Sequence, residues 1–360
     1  MVLKGRKLML LNKALKKTIA VFMIILTLLG IAGCTAQYEE KTSFAMGSVL
    51  SAKVFTDDKE KSEEILLLIE EAVKQADKAF SNTDKDAEIY KLNDFGTINA
   101  SDYLKKSLTD TISVCNILER SIDISIGKVT ALWGFNTETP SLPDETEIRT
   151  HIKACDMDKI TVSTESSVIS VSRDMAIDLG AVGKGLACDN ALEKTRYYGI
   201  PYIVSFGGTV LAYGTGPNNG KWTIGIRNPF GTENEIAGKL SFVHKEKKDF
   251  VFISTSGNYE KTFTQDGKTY HHILNSITGY PVENDLVSVT VVSESGLNAD
   301  ALSTAVFTRG LNETSLYWLK IFGCEAVFIF KDKSYYVTDG LKDALEMTAE
   351  GFTCKEYYEK

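Results

Sequence analysis

The stretch that most constrains this chain runs from Ala176 to Asp189 and reads A-I-D-L-G-A-V-G-K-G-L-A-C-D. Met175 to Leu179 reads as a short apolar strand. Gly180, Gly183 and Gly185 then fall within six residues, with Lys184 among them. Past Gly185, residues Leu186, Ala187, Ala191 and Leu192 take helical spacing. Strand, glycine-rich turn and helix together let a backbone offer free N–H groups to an anion. Glycine permits close approach and positive φ. Lys184 would add a point charge, and Asp178 a carboxylate at the strand's end. The same turn also serves as a plain strand-to-helix connection with a solvated lysine. Its spacing matches neither the phosphate loop G-x-x-x-x-G-K-[ST] nor the dinucleotide motif G-x-G-x-x-G.

The N-terminus belongs to a different problem. Lys4, Arg6, Lys7, Lys13, Lys16 and Lys17 form a basic region without an acid, and Thr18 to Ile31 is apolar. That run is too short for a comfortable transmembrane helix and suits a signal peptide. It ends in Ile31-Ala32-Gly33-Cys34, which resembles a bacterial lipobox. Cleavage after residue 33 would leave Cys34 to carry lipid, palmitate included, and residues 34–41 as a lipidated tether. Removing six cations and no acid takes the formal charge from −8 to −14. We therefore expect an acidic domain over 42–355, held at the outer face of the cell membrane or in the periplasm. Two or more acyl chains make such an anchor stable. Its charge argues against nucleic acid as partner. The remaining cysteines, Cys115, Cys155, Cys188, Cys324 and Cys354, are scattered, odd in number and without C-x-x-C spacing. They predict buried thiols rather than disulfides or a zinc site.

With 360 residues the chain can build one large domain or two modest ones. Ser48 to Thr56 predicts a strand. Ser62 is the expected cap of a helix burying Ile65, Leu68, Ile69, Ala72, Val73, Ala76 and Phe80. A second helix is expected from Ser101, and a short one around Ile148 to Ile152. Strands follow at Tyr202 to Phe206, Thr209 to Tyr213, Trp222 to Arg227, Ile236 to Val243, Phe250 to Thr255 and Leu286 to Ser293. Asp266-Gly267 is a hairpin signal. Ala299 to Arg309 and a segment capped by Asn312 read as helices, and Glu325 to Thr338 as a last hairpin. Many hairpins and few strand–helix–strand alternations predict an α+β fold: mixed, largely antiparallel sheets with packed helices.

Three further stretches carry chemistry. Ser254 to Glu260 is a hydroxyl-rich strand end, able to bind phosphate or simply to turn the chain. Two of the four histidines, His271 and His272, sit side by side. Alternation sends them to opposite faces, so they do not suit one metal. Asp300 and Thr304 stand one above the other at i and i+4. A carboxylate with a hydroxyl one turn on suits Mg²⁺, and an Asp near a helix start also suits a plain cap.

In this order the stretches resemble the ApbE family of FAD:protein FMN transferases, many of them lipoproteins. The resemblance covers Phe44 to Gly310. It rests on Ala45-Met46-Gly47-Ser48, Asp123 to Gly127 with Leu132-Trp133-Gly134-Phe135, Asp178 to Gly185, and Phe206-Gly207-Gly208. Thr255 to Tyr259, His272-Ile273 with Thr278 to Pro281, and Ala299 to Thr304 complete it. The resemblance implies that FMN passes from FAD to a Thr or Ser hydroxyl of an exported partner protein, with release of AMP. It implies Mg²⁺ on the Ala181 carbonyl, Asp300 and Thr304. It implies FAD contacts from Met46, Ser121, Ile122, Asp123, Asp178, Lys184 and Leu274, and His272 as general base. An FAD-stacking tyrosine of some members is Thr83 here, Asn275-Ser276 replaces a usual Asp-Pro, and Lys128 a usual proline. Two other readings remain: a Mg²⁺-dependent FAD pyrophosphatase, which releases free FMN, and a flavin carrier, which leaves FAD intact.

Overall fold

A computed structural model describes residues 37–357; the signal segment and Cys34 lie outside the described residues. Nine strands form the main sheet: β1 Glu39–Ala45, β2 Ser48–Val54, β3 Tyr202–Phe206, β4 Thr209–Tyr213, β5 Phe250–Gly257, β6 Leu286–Ser293, β7 Glu325–Phe330, β8 Ser334–Val337 and β9 Thr353–Cys354. Their order in space is their order in the chain. Every neighbouring pair is antiparallel except the last, β8 with β9. The expected mixed, largely antiparallel α+β architecture is what the chain adopts.

Period-two alternation splits this sheet between two cores. Phe252 of β5, Val289 and Val291 of β6, and Ala326 and Phe328 of β7 face the helices. Val251, Ile253, Val327 and Ile329 face the other way. There they meet Trp222, Ile224 and Leu240 of a smaller antiparallel sheet, Lys221–Arg227, Ile236–Val243 and Leu345–Met347. Each fully buried side chain of this kind contributes about 1.5–3 kcal/mol of transfer free energy.

The helical layer is built on three helices: α1 Lys59–Phe80, α2 Gly183–Thr195 and α3 Gly296–Arg309. The α1 stripe is as expected, with Leu66 and Ala79 added and Leu68 only half-buried. Its cap is Asp58, whose carboxylate accepts the Lys61 N–H at 3.2 Å; Ser62 is buried inside the first turns instead.

Helices α2 and α3 touch backbone to backbone at their N-termini. A Cβ built on Gly185 would lie 2.0 Å from the Gly296 carbonyl oxygen. Neither glycine needs positive φ; the need is for space. Gly185→Ala is therefore expected to push the helices apart at a cost on the order of 3 kcal/mol or more. Thermal unfolding checks it, and a wild-type melting temperature would refute the close approach.

The two helices also cap each other. Asp189 of α2 accepts the Gly296 and Leu297 N–H groups of α3 at 2.7 and 2.8 Å. Asp300 of α3 accepts the Gly185 N–H of α2 at 2.6 Å. Ser295 caps α3 itself, so Asp300, one turn further in, is not that helix's cap. Burial pushes the Asp189 carboxyl up to about 6, with its two N–H donors opposing.

Several expectations fail. The segment read as a tether reaches only to Tyr38, because Glu39 to Lys41 pair with Ala52 to Val54 at the sheet edge. Met175 to Leu179 forms no strand: it makes one isolated bridge, Ile126 with Ala176, and joins no sheet. A helix at Glu88–Phe95 was not anticipated. All five described cysteines are free, as expected, but Cys354 is exposed.

Candidate active site

A cavity opens where the glycine turn, the β5 end and the α3 start meet. It encloses about 1310 Å³ of empty space, its mouth included. The third apolar cluster forms one wall's support. Trp133 is fully buried there, packs with Phe135, Phe263, Tyr270 and Tyr280, and donates its indole N–H to the Gly279 carbonyl at 2.8 Å. Gly279 has φ +74°, and an added Cβ would strike Ile148 at 2.6 Å. The Trp133-Gly134-Phe135 and Thr278 to Pro281 stretches are thus one packed unit, and it presents Phe135 and Leu274 to the cavity.

Asp300 also lines the cavity and is only 3 % exposed. Its Oδ1 accepts the hydroxyls of Thr209, at 2.6 Å, and Ser254. Its Oδ2 accepts the Gly185 N–H. No lysine or arginine of the described residues pairs with it. A buried carboxylate held by neutral donors alone leaves its charge uncompensated. Beside it, Ser256 bonds Ser303 at 2.9 Å and Thr304 at 3.0 Å. Asp300, Ser254, Ser256, Ser303, Thr304 and Ala181 all line the cavity, and carboxylate, hydroxyl and main-chain carbonyl oxygens are hard donors of the kind that fit Mg²⁺ with few protein ligands. Among the described residues no cluster of three His, Cys, Asp or Glu side chains gathers to hold a metal.

The glycine turn meets the expectation of open N–H groups only in part. Gly180 N–H goes to Asp178 Oδ1 at 2.7 Å, and Val182 and Gly183 N–H both go to the Leu179 carbonyl. Gly185 N–H is spent on Asp300. The chain's own acceptors take these four N–H groups, whereas among the described residues those of Ala181 and Lys184 have no acceptor of the chain's own and stand with the Lys184 ammonium as the turn's anion donors. The Phe206-Gly207-Gly208 stretch makes room for it. Gly207 has φ +58°, and a Cβ there would stand 3.0 Å from Lys184 Cδ. Asp178 is fixed as well, accepting the Thr130 hydroxyl at 2.6 Å.

His272 fronts the cavity, and His271 points away to the Val282 carbonyl. The two histidines separate as alternation required. His272 Nδ1 lies 3.0 Å from the Glu260 carbonyl, an acceptor. It must therefore carry the proton, and Nε2 is left as the nitrogen free to accept one. Burial, with Lys261 and Lys184 behind it, lowers this imidazole to about 3. The ordinary histidine value therefore does not apply to this imidazole.

Of the expected contacts, Ile122, Asp123, Asp178, Ala181, Lys184, His272, Leu274, Asp300 and Thr304 all line the cavity. Met46 and Ser121 do not. Met46, at φ +47°, packs on the start of α2, where a Cβ on Gly183 would meet its Cε at 2.8 Å. Ser121 bonds back to Leu118. Thr83 is exposed in its own loop, bonded to Ser81, and is not a cavity residue. Lys261, which sequence reasoning passed over, does line it. A lone lysine in a polar loop carries no pattern to find it by.

The ApbE family model matches residues 46–328. A Klebsiella pneumoniae protein called FAD:protein FMN transferase is 30% identical over 219 residues, 60% of this chain and 66% of that protein. A Treponema pallidum relative of the same name is 28% identical, over 62% of this chain and 64% of its own length. The chain thus spans just under two thirds of both. A Haemophilus influenzae relative of that name is 27% identical over 82% of this chain and 88% of its own. The crystal structure of an ApbE protein from Thermotoga maritima superposes with a TM-score of 0.78 at 26% identity, covering 86% of this chain and 99% of that one. The flavin transferase ApbE of Vibrio cholerae, 23% identical, shares the fold at 0.71 over 86% of this chain and all of its own.

Proposed function

This chain belongs to the ApbE family, and from that premise we propose that it transfers FMN from FAD to a Thr or Ser hydroxyl of a partner protein, releasing AMP. The observation that carries the reading is the cavity itself. Its lining brings apolar residues suited to a flavin ring together with Lys184, Asp300 and a bank of hydroxyls. Asp300, Thr304 and the Ala181 carbonyl are the residues that would hold Mg²⁺. Bound there, the ion would neutralise charge on the diphosphate and the departing AMP. Lys184 binds the diphosphate, and Asp178, Ile122, Asp123 and Leu274 hold the flavin part. His272 takes the acceptor hydroxyl's proton at Nε2. Met46 supports the α2 start on which Lys184 stands, and Ser121 orients the Ile122–Asp123 segment.

Incubation with FAD, Mg²⁺ and an exported FMN-binding domain tests the reading. A fluorescent acceptor band in a denaturing gel supports transfer. Free FMN released alike with and without acceptor would instead mark a pyrophosphatase, and unchanged FAD a carrier.

The anchor reading is part of the same proposal. Lipid on Cys34 would hold the domain at the outer face of the membrane, near exported acceptors. Cys34→Ser removes the thiol that takes the acyl chain. It is expected to release the protein from the membrane fraction or leave an uncleaved precursor. Unaltered processing and acylation by mass spectrometry would end that reading.

A further inference from the structure

Six carboxylates and ammonium groups line the cavity: Asp123, Asp178, Glu260 and Asp300 against Lys184 and Lys261. Four acids and two cations make a poor receptacle for a diphosphate, so every cation on the wall matters. Only Lys184 has a role so far. Lys261 is exposed and lines the cavity just past the β5 end. It holds φ +42°, a left-handed conformation that a non-glycine residue takes only under constraint. Its ammonium donates to Oδ1 of Asn136, another lining residue, at 2.8 Å. Neither lysine makes an ion pair within 4.0 Å among the described residues. Partial desolvation and the Lys184 charge hold Lys261 below the ordinary lysine value. Two like charges fronting one cavity repel until an anion sits between them.

We propose that Lys261 is a second cationic contact for the diphosphate of the dinucleotide. On binding it exchanges Asn136 for a phosphoryl oxygen, so that Lys184 and Lys261 hold the group between α2 and the β5 end. This inference rests on the FAD reading of the cavity. It also gives the strained backbone at Lys261 a use, since that conformation sets the side chain on the cavity wall.

The test compares affinities for FAD, ADP and riboflavin in EDTA, by fluorescence and calorimetry. Lys261→Met is expected to weaken FAD and ADP about ten- to a hundredfold, the worth of one charge-assisted hydrogen bond. Riboflavin, which has no phosphate, should bind as to wild type. Lys261→Arg should recover most of the loss, and the salt dependence of FAD binding should flatten in the Met variant. Wild-type FAD affinity in Lys261→Met would overturn the contact. Equal weakening of riboflavin would also overturn it, as a merely structural effect. Wild-type protein that binds neither FAD nor ADP would bring down the FAD reading itself, and this inference with it.

Discussion

Asp300→Ala is expected to abolish FMN transfer and any hydrolysis of FAD at limiting Mg²⁺, by ~10³-fold or more. Loss of charge stabilisation at a phosphoryl centre costs several kcal/mol, and ~4 kcal/mol is already a thousandfold. The alanine also strips acceptors from Thr209, Ser254 and the Gly185 N–H. Each orphaned donor costs about 1–3 kcal/mol, so part of the loss would be structural. Asp300→Asn separates the two. It keeps the volume and one acceptor oxygen but not the charge. We expect a folded protein with calorimetric Mg²⁺ binding and single-turnover transfer both lost. Full transfer by Asp300→Asn at limiting Mg²⁺ would remove Asp300 from the metal site.

His272→Ala is expected to keep FAD and Mg²⁺ binding and to slow transfer roughly 10²–10⁴-fold, the usual contribution of a general base. An imidazole at about 3 is a weak base, and two lysine charges are part of the cause. A diphosphate seated between those lysines offsets them and raises the imidazole toward neutrality. In the proposed mechanism the substrate would thus remove part of what holds the base down, with burial remaining the larger cause. The pH profile of kcat/KM, which reports the free protein, should show no His272 step near 6.5. The profile of kcat should show a step above 3. Stability carries a second signature. Between pH 6.5 and about 3 the unfolded imidazole binds a proton that the folded one refuses, so His272 subtracts stability as pH falls through that window. His272→Gln should flatten this part of the curve. A normal transfer rate in His272→Ala would leave the proton to another group.

Local chemistry was legible in the residues, and long-range pairing was not. The Asp266-Gly267 hairpin is as its dipeptide requires, with φ of +52° and +76° closing Thr262–Gln265 on Lys268–His271. Strand limits at Tyr202–Phe206, Thr209–Tyr213, Ile236–Val243 and Leu286–Ser293 follow directly from apolar β-branched runs. Glu39 to Lys41 escaped because an edge strand with one open face looks like a polar linker; its burial alternates between exposed and half-buried. Met175 to Leu179 deceived in the opposite sense. Its alternate side chains are buried, as in a strand, but its backbone finds a single bridge, the Ile124 carbonyl and the Asn93 side chain. The spent N–H groups of the glycine turn were also hidden. Asp300 lies 115 residues from Gly185, and no local pattern joins them. Site residues on motifs were found, whereas Lys261 depends on a bond to Asn136 across 125 residues.

The exchange of acids between α2 and α3 ties chemistry to survival. Asp300 both fronts the cavity and closes the end of a helix that is not its own. A chain damaged at this position, by mutation or by chemical ageing, is therefore also a chain that opens more often there. Proteases and chaperones respond to opening, not to lost catalysis. An inert copy would thus be cleared early instead of lingering.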